Sequence, residues 1–152
     1  MSSYEDYLWA TMYNFIGNEY GTAGLMGNLY AESGFRPENL QNTYEKSLKL
    51  SDTEYTTKVD NGTYTDFVKD KAGYGLAQWT YWSRKQNLLN FAKAQNKSIG
   101  DLNMQLEFLY KELSESFSIT NSFIITSLYP SCIRLLQTPS FYNHNTLVKL
   151  LK

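Results

Sequence analysis

Glu32 sits in the stretch GNLYAESGFRP (27–37), three residues after Leu29 and seven after Leu25. That spacing puts its carboxylate on the same helical stripe as the two leucines. Gly34 and Pro37 then mark the end of the helix. An apolar face strips water from a carboxylate, and the C-terminal end of a helix carries partial negative charge. Both effects disfavour the ionised form. A carboxyl group that holds its proton near neutrality is what a general acid requires. The plainer alternative is a solvated glutamate at a fraying helix end.

Other chemistries are poorly supplied. The single cysteine, Cys132, allows neither an internal disulfide nor a cysteine-based zinc site. The single histidine, His144, has no surroundings suited to a Ser-His-Asp or Cys-His mechanism. Gly73-Tyr-Gly75 lacks the lysine and the strand context of a phosphate loop. The carboxylates are not spaced as in a calcium loop, so no metal and no cofactor is expected. Hydrolytic chemistry here must rest on carboxylates. A net charge of −1 gives little attraction for polyanions, so nucleic acid is not expected as a ligand. No apolar run reaches membrane-spanning length, and the N-terminus does not read as a signal peptide.

The 152 residues suit one domain with a real core, at 42% apolar and 19% charged. Aromatic residues make up 16%, more than half of them tyrosine. They read either as an aromatic core or as a cleft suited to flat, amphipathic sugar faces. Ser3 and Asp6 form a capping box for a first helix carrying Tyr4, Tyr7, Leu8, Met12, Phe15 and Ile16, with Gly17 and Gly21 at its end. Thr22 is the expected cap of the second helix, which ends near Glu32. Ser51 and Glu54 form another capping box, for a helix from Asp52 to about Val59. Asn61-Gly62 alternatively reads as a hairpin turn between 55–59 and 63–68. Short helices are the favoured reading of 39–73. A tight loop over 72–80 leads into a helix over 82–95, and Ile99, Leu102, Leu106, Leu109 and Leu113 define another. There are no internal repeats.

AESGFRP, followed some forty residues later by GYGLAQWT, resembles the signature of the lysozyme-like superfamily, including goose-type lysozymes and soluble lytic transglycosylases. The longer pattern AGLMGNLYAESGFRPENLQN, AGYGLAQWTYWSRKQ and SIGDLNMQLEFLYKEL resembles the phage tail lysozyme domain over about residues 5–115. The resemblance implies a mainly α, lysozyme-like α+β fold. Its helices surround a central helix that ends at Glu32, and a small irregular or β-hairpin region forms the cleft wall. It implies a muramidase that cleaves the β-1,4 bond between N-acetylmuramic acid and N-acetylglucosamine, with Glu32 protonating the glycosidic oxygen.

By the same likeness Ser33 supports the site or simply caps the helix end, and Gly73 and Gly75 let backbone approach the sugar. Gln78 hydrogen-bonds an N-acetyl or hydroxyl group. Tyr74, Trp79, Tyr81 and Trp82 are candidates for sugar stacking, with at least two of them expected in the core. A base for attacking water would come from Asp70 first and Asp60 second. Asp66 competes as a capping partner of Thr63. Each of these aspartates has a solvated charge as its alternative. Lytic transglycosylases need no second carboxylate, because the muramic acetamido group assists and a 1,6-anhydro end forms. A third reading is a non-catalytic wall-binding or structural tail module.

All 15 acidic residues, all nine glycines and every alanine lie in 1–115, whereas 116–152 carries Arg134, Lys149 and Lys152 as its charges. The expected division is therefore a catalytic domain over 1–115 and an atypical region over 116–152. That region either covers the core or is a replaced tail, for instance one from a shifted reading frame. The expected partners are bacterial peptidoglycan strands, with phage tail proteins or further wall-binding domains beside them. A monomer acting at a phage tail or released to the cell wall is expected.

Overall fold

The computed structural model describes residues 3–124, and among them the secondary structure is six α-helices and two isolated β-bridges. The helices are α1 (Tyr4–Ile16), α2 (Glu19–Ser33), α3 (Asn42–Leu48), α4 (Asp52–Asp60), α5 (Trp82–Ala94) and α6 (Leu102–Ile124). The fold is mainly α, as the sequence implied. The reading of the tail as atypical falls largely on 125–152, outside the described residues. No helix among the described residues is long and apolar enough to cross a membrane.

The described residues fall into two compact units, 3–28 with 109–124, and 29–108. In the first, α1 begins at the expected capping box: Ser3 Oγ accepts the Asp6 N–H at 3.1 Å, and Asp6 accepts the Ser3 N–H at 2.9 Å. Leu8 and Met12 are its buried residues. Phe15 stacks on Tyr110 with ring centroids 4.6 Å apart. The start of α2 departs from expectation. Asn18, not Thr22, caps it, its Oδ1 accepting the Gly21 N–H at 2.7 Å. Thr22 is fully buried inside the helix and donates back to Asn18 O at 2.8 Å. A hydroxyl one turn inside a helix satisfies itself on the preceding carbonyl in this way.

The second unit holds the larger core: Tyr55, Phe67, Tyr74, Trp79, Leu88 and Ile99 are all within 1% of complete burial. The capping box at Ser51 and Glu54 starts α4 as expected. The hairpin alternative does not form. Asn61-Gly62 instead ends α4, with Gly62 at φ +77°. Its N–H reaches Val59 O at 3.1 Å, and the Tyr64 N–H reaches Lys58 O at 2.9 Å. An Asn-Gly pair suits a left-handed helix end as well as a hairpin, and the apolar stripe of Tyr55 and Val59 decides between them. α3 had no side-chain signal at its start, because Gln41 makes no cap bond there. The Gln41 side chain instead accepts the Gly73 N–H at 3.1 Å.

Candidate active site

α2 ends at Ser33, so Glu32 lies in its last turn, as the spacing required. Gly34 closes the turn through its N–H to Tyr30 O at 2.8 Å. Ser33 points inward at 5% exposure. Its hydroxyl lies 3.0 Å from Leu29 O and 2.9 Å from Leu76 O. Ser33 thus ties the end of the glutamate helix to the GYGLAQ loop. It holds the glutamate's backbone and does not itself reach a cleft.

The loop 74–79 is closed by reciprocal bonds between Tyr74 and Trp79, at 3.2 and 2.9 Å. Gly75 stands at φ +76°, and a Cβ there would meet Gln105 Oε1 at 2.7 Å. Gln105 is fully buried. It accepts the Leu76 N–H at 2.9 Å and donates to Pro37 O at 2.7 Å and Ile99 O at 2.6 Å. One amide from α6 therefore joins three stretches of chain, and glycine at 75 leaves room for it. Nothing in the helical pattern of 99–113 singled out Gln105, beyond being a polar residue beside Leu106 and Met104.

Glu32 is half-buried and opens onto a cleft of about 540 Å3. The other lining residues are Gln41, Ala77, Gln78, Thr80, Tyr81 and Arg84. Gln78 stands at φ +46°, a conformation a non-glycine residue adopts at a cost of about 1 kcal/mol. Its amide nitrogen donates to Asn39 O at 2.9 Å and Gly75 O at 3.2 Å. These bonds fix the side chain against the loop. Tyr81 is 59% exposed and neighbours the equally exposed Trp82, with ring centroids 6.0 Å apart. Tyr74 and Trp79, by contrast, are fully buried. The Tyr74 hydroxyl is 2.6 Å from Thr56 Oγ1, and the Trp79 ring packs 5.5 Å from Phe108. The four aromatics thus divide into two of the core and two of the surface. Gly75 is buried in the loop and does not line the cleft.

Neither aspartate expected as a base lines this cleft. Asp60 caps the turn before α6, accepting from Ile99 N–H at 2.9 Å and Ser98 Oγ at 2.5 Å. It borders a separate cavity with Lys93, Lys97 and Leu89. Asp66 forms a turn through its carbonyl, which accepts the N–H groups of Lys69 and Asp70. Asp70 is not a solvated charge. Its side chain is 6% exposed and pairs at 2.6 Å with Lys85, which is fully buried. Tyr55 and Tyr64 donate their hydroxyls to Asp70 at 2.5 and 3.0 Å, and the Ala72 N–H donates at 3.0 Å. Lys85 donates further to Ala72 O at 2.8 Å, and its ammonium lies 4.5 Å from the Phe67 ring centroid. Burial pushes the Lys85 ammonium down, against the opposing pull of Asp70. Burial together with the Asp70 carboxylate pushes the Tyr55 and Tyr64 phenols up. The sequence spacing carried no sign that Lys85, in the polar run SRKQN, would turn inward.

A family model described as phage tail lysozyme matches residues 5–147. The chain belongs to the phage tail lysozyme family. The match runs past Glu115 into the compositionally distinct region. No curated protein and no solved structure matches the chain. Membership of the family points to a lysozyme-like, peptidoglycan-acting function of the glycosidase type. Such a function is in keeping with a place at a phage tail or a bacterial cell wall. Among the described residues no group of three or more His, Cys, Asp or Glu is placed to hold a metal ion.

Proposed function

We propose that this domain cleaves peptidoglycan glycan strands at the β-1,4 bond between N-acetylmuramic acid and N-acetylglucosamine, with Glu32 as the general acid. The observation that carries the reading is Glu32 itself: a half-buried carboxyl group lining an open cleft beside an exposed tyrosine and an amide. A sugar ring stacked on Tyr81 would bring its glycosidic oxygen past the end of α2. Glu32 would give its proton to that oxygen as the bond to the anomeric carbon breaks through an oxocarbenium-like state. The carboxylate left behind would then take a proton from the incoming nucleophile. Gln78 would serve mainly as a brace for the wall, its Oε1 accepting from a sugar N–H or hydroxyl. Ser33 positions Glu32 through its bond to Leu76 O.

A second reading concerns the nucleophile. Among the described residues lining the cleft, Glu32 is the only carboxylate. An inverting hydrolase needs a second carboxylate about 6.5–9.5 Å away, and a retaining one needs it at about 5–5.5 Å. This favours assistance by the muramic acetamido group and capture by its own C6 hydroxyl, giving a 1,6-anhydro end. Under either reading Asp60 and Asp70 are structural.

The test is mass spectrometry of soluble fragments from purified peptidoglycan. Glu32→Gln should lower release by about 10²–10⁴-fold while leaving the thermal melt close to wild type. Equal release by the variant would exclude Glu32 as the acid. A reducing muramic end would mean that water attacked, and an anhydro end that the substrate did. Binding without any release by the wild type would leave a wall-binding module.

A further inference from the structure

We propose that Gln41, with Gln78 and Thr80, holds a water molecule at the cleft wall that competes with the muramic C6 hydroxyl for the anomeric carbon. These residues then set the ratio of reducing to anhydro ends. The proposal rests on the glycan-cleaving reading and on assistance by the acetamido group. The three side chains line the cleft with Glu32. They converge over Gly73: from the point where a Cβ would stand there, Gln78 Oε1 is 2.6 Å away, Thr80 Oγ1 3.3 Å and Gln41 Oε1 3.4 Å. Neighbouring backbone sets the direction of each amide. Gln41 Oε1 accepts the Gly73 N–H at 3.1 Å, and the Gln41 backbone N–H donates to Gly73 O at 2.9 Å. The Gln41 Nε2 group is thereby turned outward as a donor, and among the described residues it has no protein partner. Gln78 Nε2 is engaged by Asn39 O and Gly75 O, so Gln78 Oε1 is left as an acceptor. Thr80 gives its hydroxyl proton to Gln78 O at 2.9 Å and keeps its lone pairs.

Local structure gives way to this cluster. Gln41 stands at the N-cap of α3 yet makes no cap bond there. Gln78 stands at φ +46°, a strained backbone for a residue with a side chain, and such strain gathers at functional sites. A donor beside two acceptors fits water, which takes about two to four polar partners. The water would accept from Gln41 Nε2 and donate to Gln78 Oε1, whose second lone pair stays available to a sugar group. Its other hydrogen would face Glu32, and its remaining lone pair the anomeric carbon. A sugar hydroxyl in the same place would need one of those directions for its own carbon. Once Glu32 has protonated the glycosidic oxygen, the acetamido oxygen is bonded to the anomeric carbon. The water oxygen then forms its bond to that carbon. The bond from the carbon to the acetamido oxygen breaks, and its electron pair returns to the amide. The water proton passes to the Glu32 carboxylate, which restores the acid and leaves a reducing end. Attack by the C6 hydroxyl differs only in which oxygen gives up the proton.

The test counts reducing against anhydro muramic ends, by mass spectrometry, in fragments released from purified peptidoglycan by the wild type, Gln41→Met and Gly73→Ala. Gln41 is exposed, so its replacement should leave the thermal melt close to wild type. In Gly73→Ala the new Cβ meets the movable end of the Gln78 side chain and displaces Oε1. The two variants thus disturb the water from its donor side and from its acceptor side. The wild type should release reducing ends beside anhydro ends. Each variant should lower the reducing-to-anhydro ratio about tenfold, the effect of one lost hydrogen bond. A merely structural role for Gln41 predicts the opposite, since a loosened wall admits bulk water and raises the share of reducing ends. A ratio unchanged in either variant, a rise in reducing ends, or wild-type products that are all anhydro would overturn the proposal and leave cleavage by Glu32 standing. No release by the wild type would bring down the cleavage reading and this proposal with it.

Discussion

Lys85 makes the sharpest stability prediction. Its ammonium is fully buried and donates to Asp70 Oδ1 at 2.6 Å and Ala72 O at 2.8 Å. Lys85→Met would keep the aliphatic stem against Phe67 and remove the charge. Asp70 would then remain as a carboxylate at 6% exposure, held by two phenols and one backbone N–H. Breaking one side of a buried ion pair typically costs about 3–5 kcal/mol. Total stability for such a domain is only about 5–15 kcal/mol. Lys85→Met should therefore lower Tm by on the order of 10 °C. Asp70→Asn should cost a similar amount, since it strands the buried ammonium. The double variant should be well short of additive, because each single change already abolishes the pair. The assay is a double-mutant cycle by urea unfolding. Additive losses, or a Lys85→Met loss below about 1 kcal/mol, would refute the view that this pair is a closed buried unit. The clamp also holds the base of the cleft-wall loop, so activity at 25 °C should fall in the single variants even where they remain folded.

Three further predictions follow from particular contacts. Gly75→Ala should cost about 2–4 kcal/mol, because its backbone is left-handed and the new Cβ would press on Gln105 Oε1 at 2.7 Å. In a Gln105→Ala background the same change should cost less, and chemical unfolding of the four proteins checks this. Tyr81→Ala should leave Tm within about 2 °C, since the ring is 59% exposed, yet raise KM by roughly three- to tenfold through lost stacking. An unchanged KM would remove Tyr81 from the substrate path. Alkaline pH should destabilise the fold. Burial raises the Tyr55 and Tyr74 phenols above their ordinary 10.0, so the unfolded chain releases those protons first. Their contribution is complete below pH 10 and is lost as pH climbs beyond it, at about 1.4 kcal/mol per pH unit for each. Lys85 is lowered from 10.5 and acts in the opposite sense only up to that pH. Urea melts from pH 9 to 11.5, with tyrosinate absorbance, should show the two phenols ionising only on unfolding. Their ionisation in the folded state at an ordinary pH would contradict the packing.

The sequence by itself determined the helices that announce themselves locally. The capping boxes at Ser3 and Ser51, the apolar stripe through Leu25 and Leu29, and the glycine stop after Ser33 are all contained in a few neighbouring residues. So is the place of Glu32, because three residues along a helix is the same face whatever packs against it. The pairing of AESGFRP with GYGLAQWT carried the family. Tertiary structure decided what each polar side chain does once it is there. Asp60, Asp66 and Asp70 lie within one short stretch and all three read as exposed charges there, yet one caps a turn, one turns the backbone and one is buried on Lys85. Asn61-Gly62 was compatible with two turns until the packing of Tyr55 and Val59 chose the helix end. Tyr74 and Tyr81 are the same residue seven apart, one buried on Thr56 and one facing the cleft. The spacing of helices and loops is written locally. Which partner reaches a carboxylate or a phenol depends on segments distant in sequence: 15 residues for Lys85 and Asp70, and 29 for Gln105 and Leu76. No window of the chain contains both ends of those bonds together with the burial that gives them their strength.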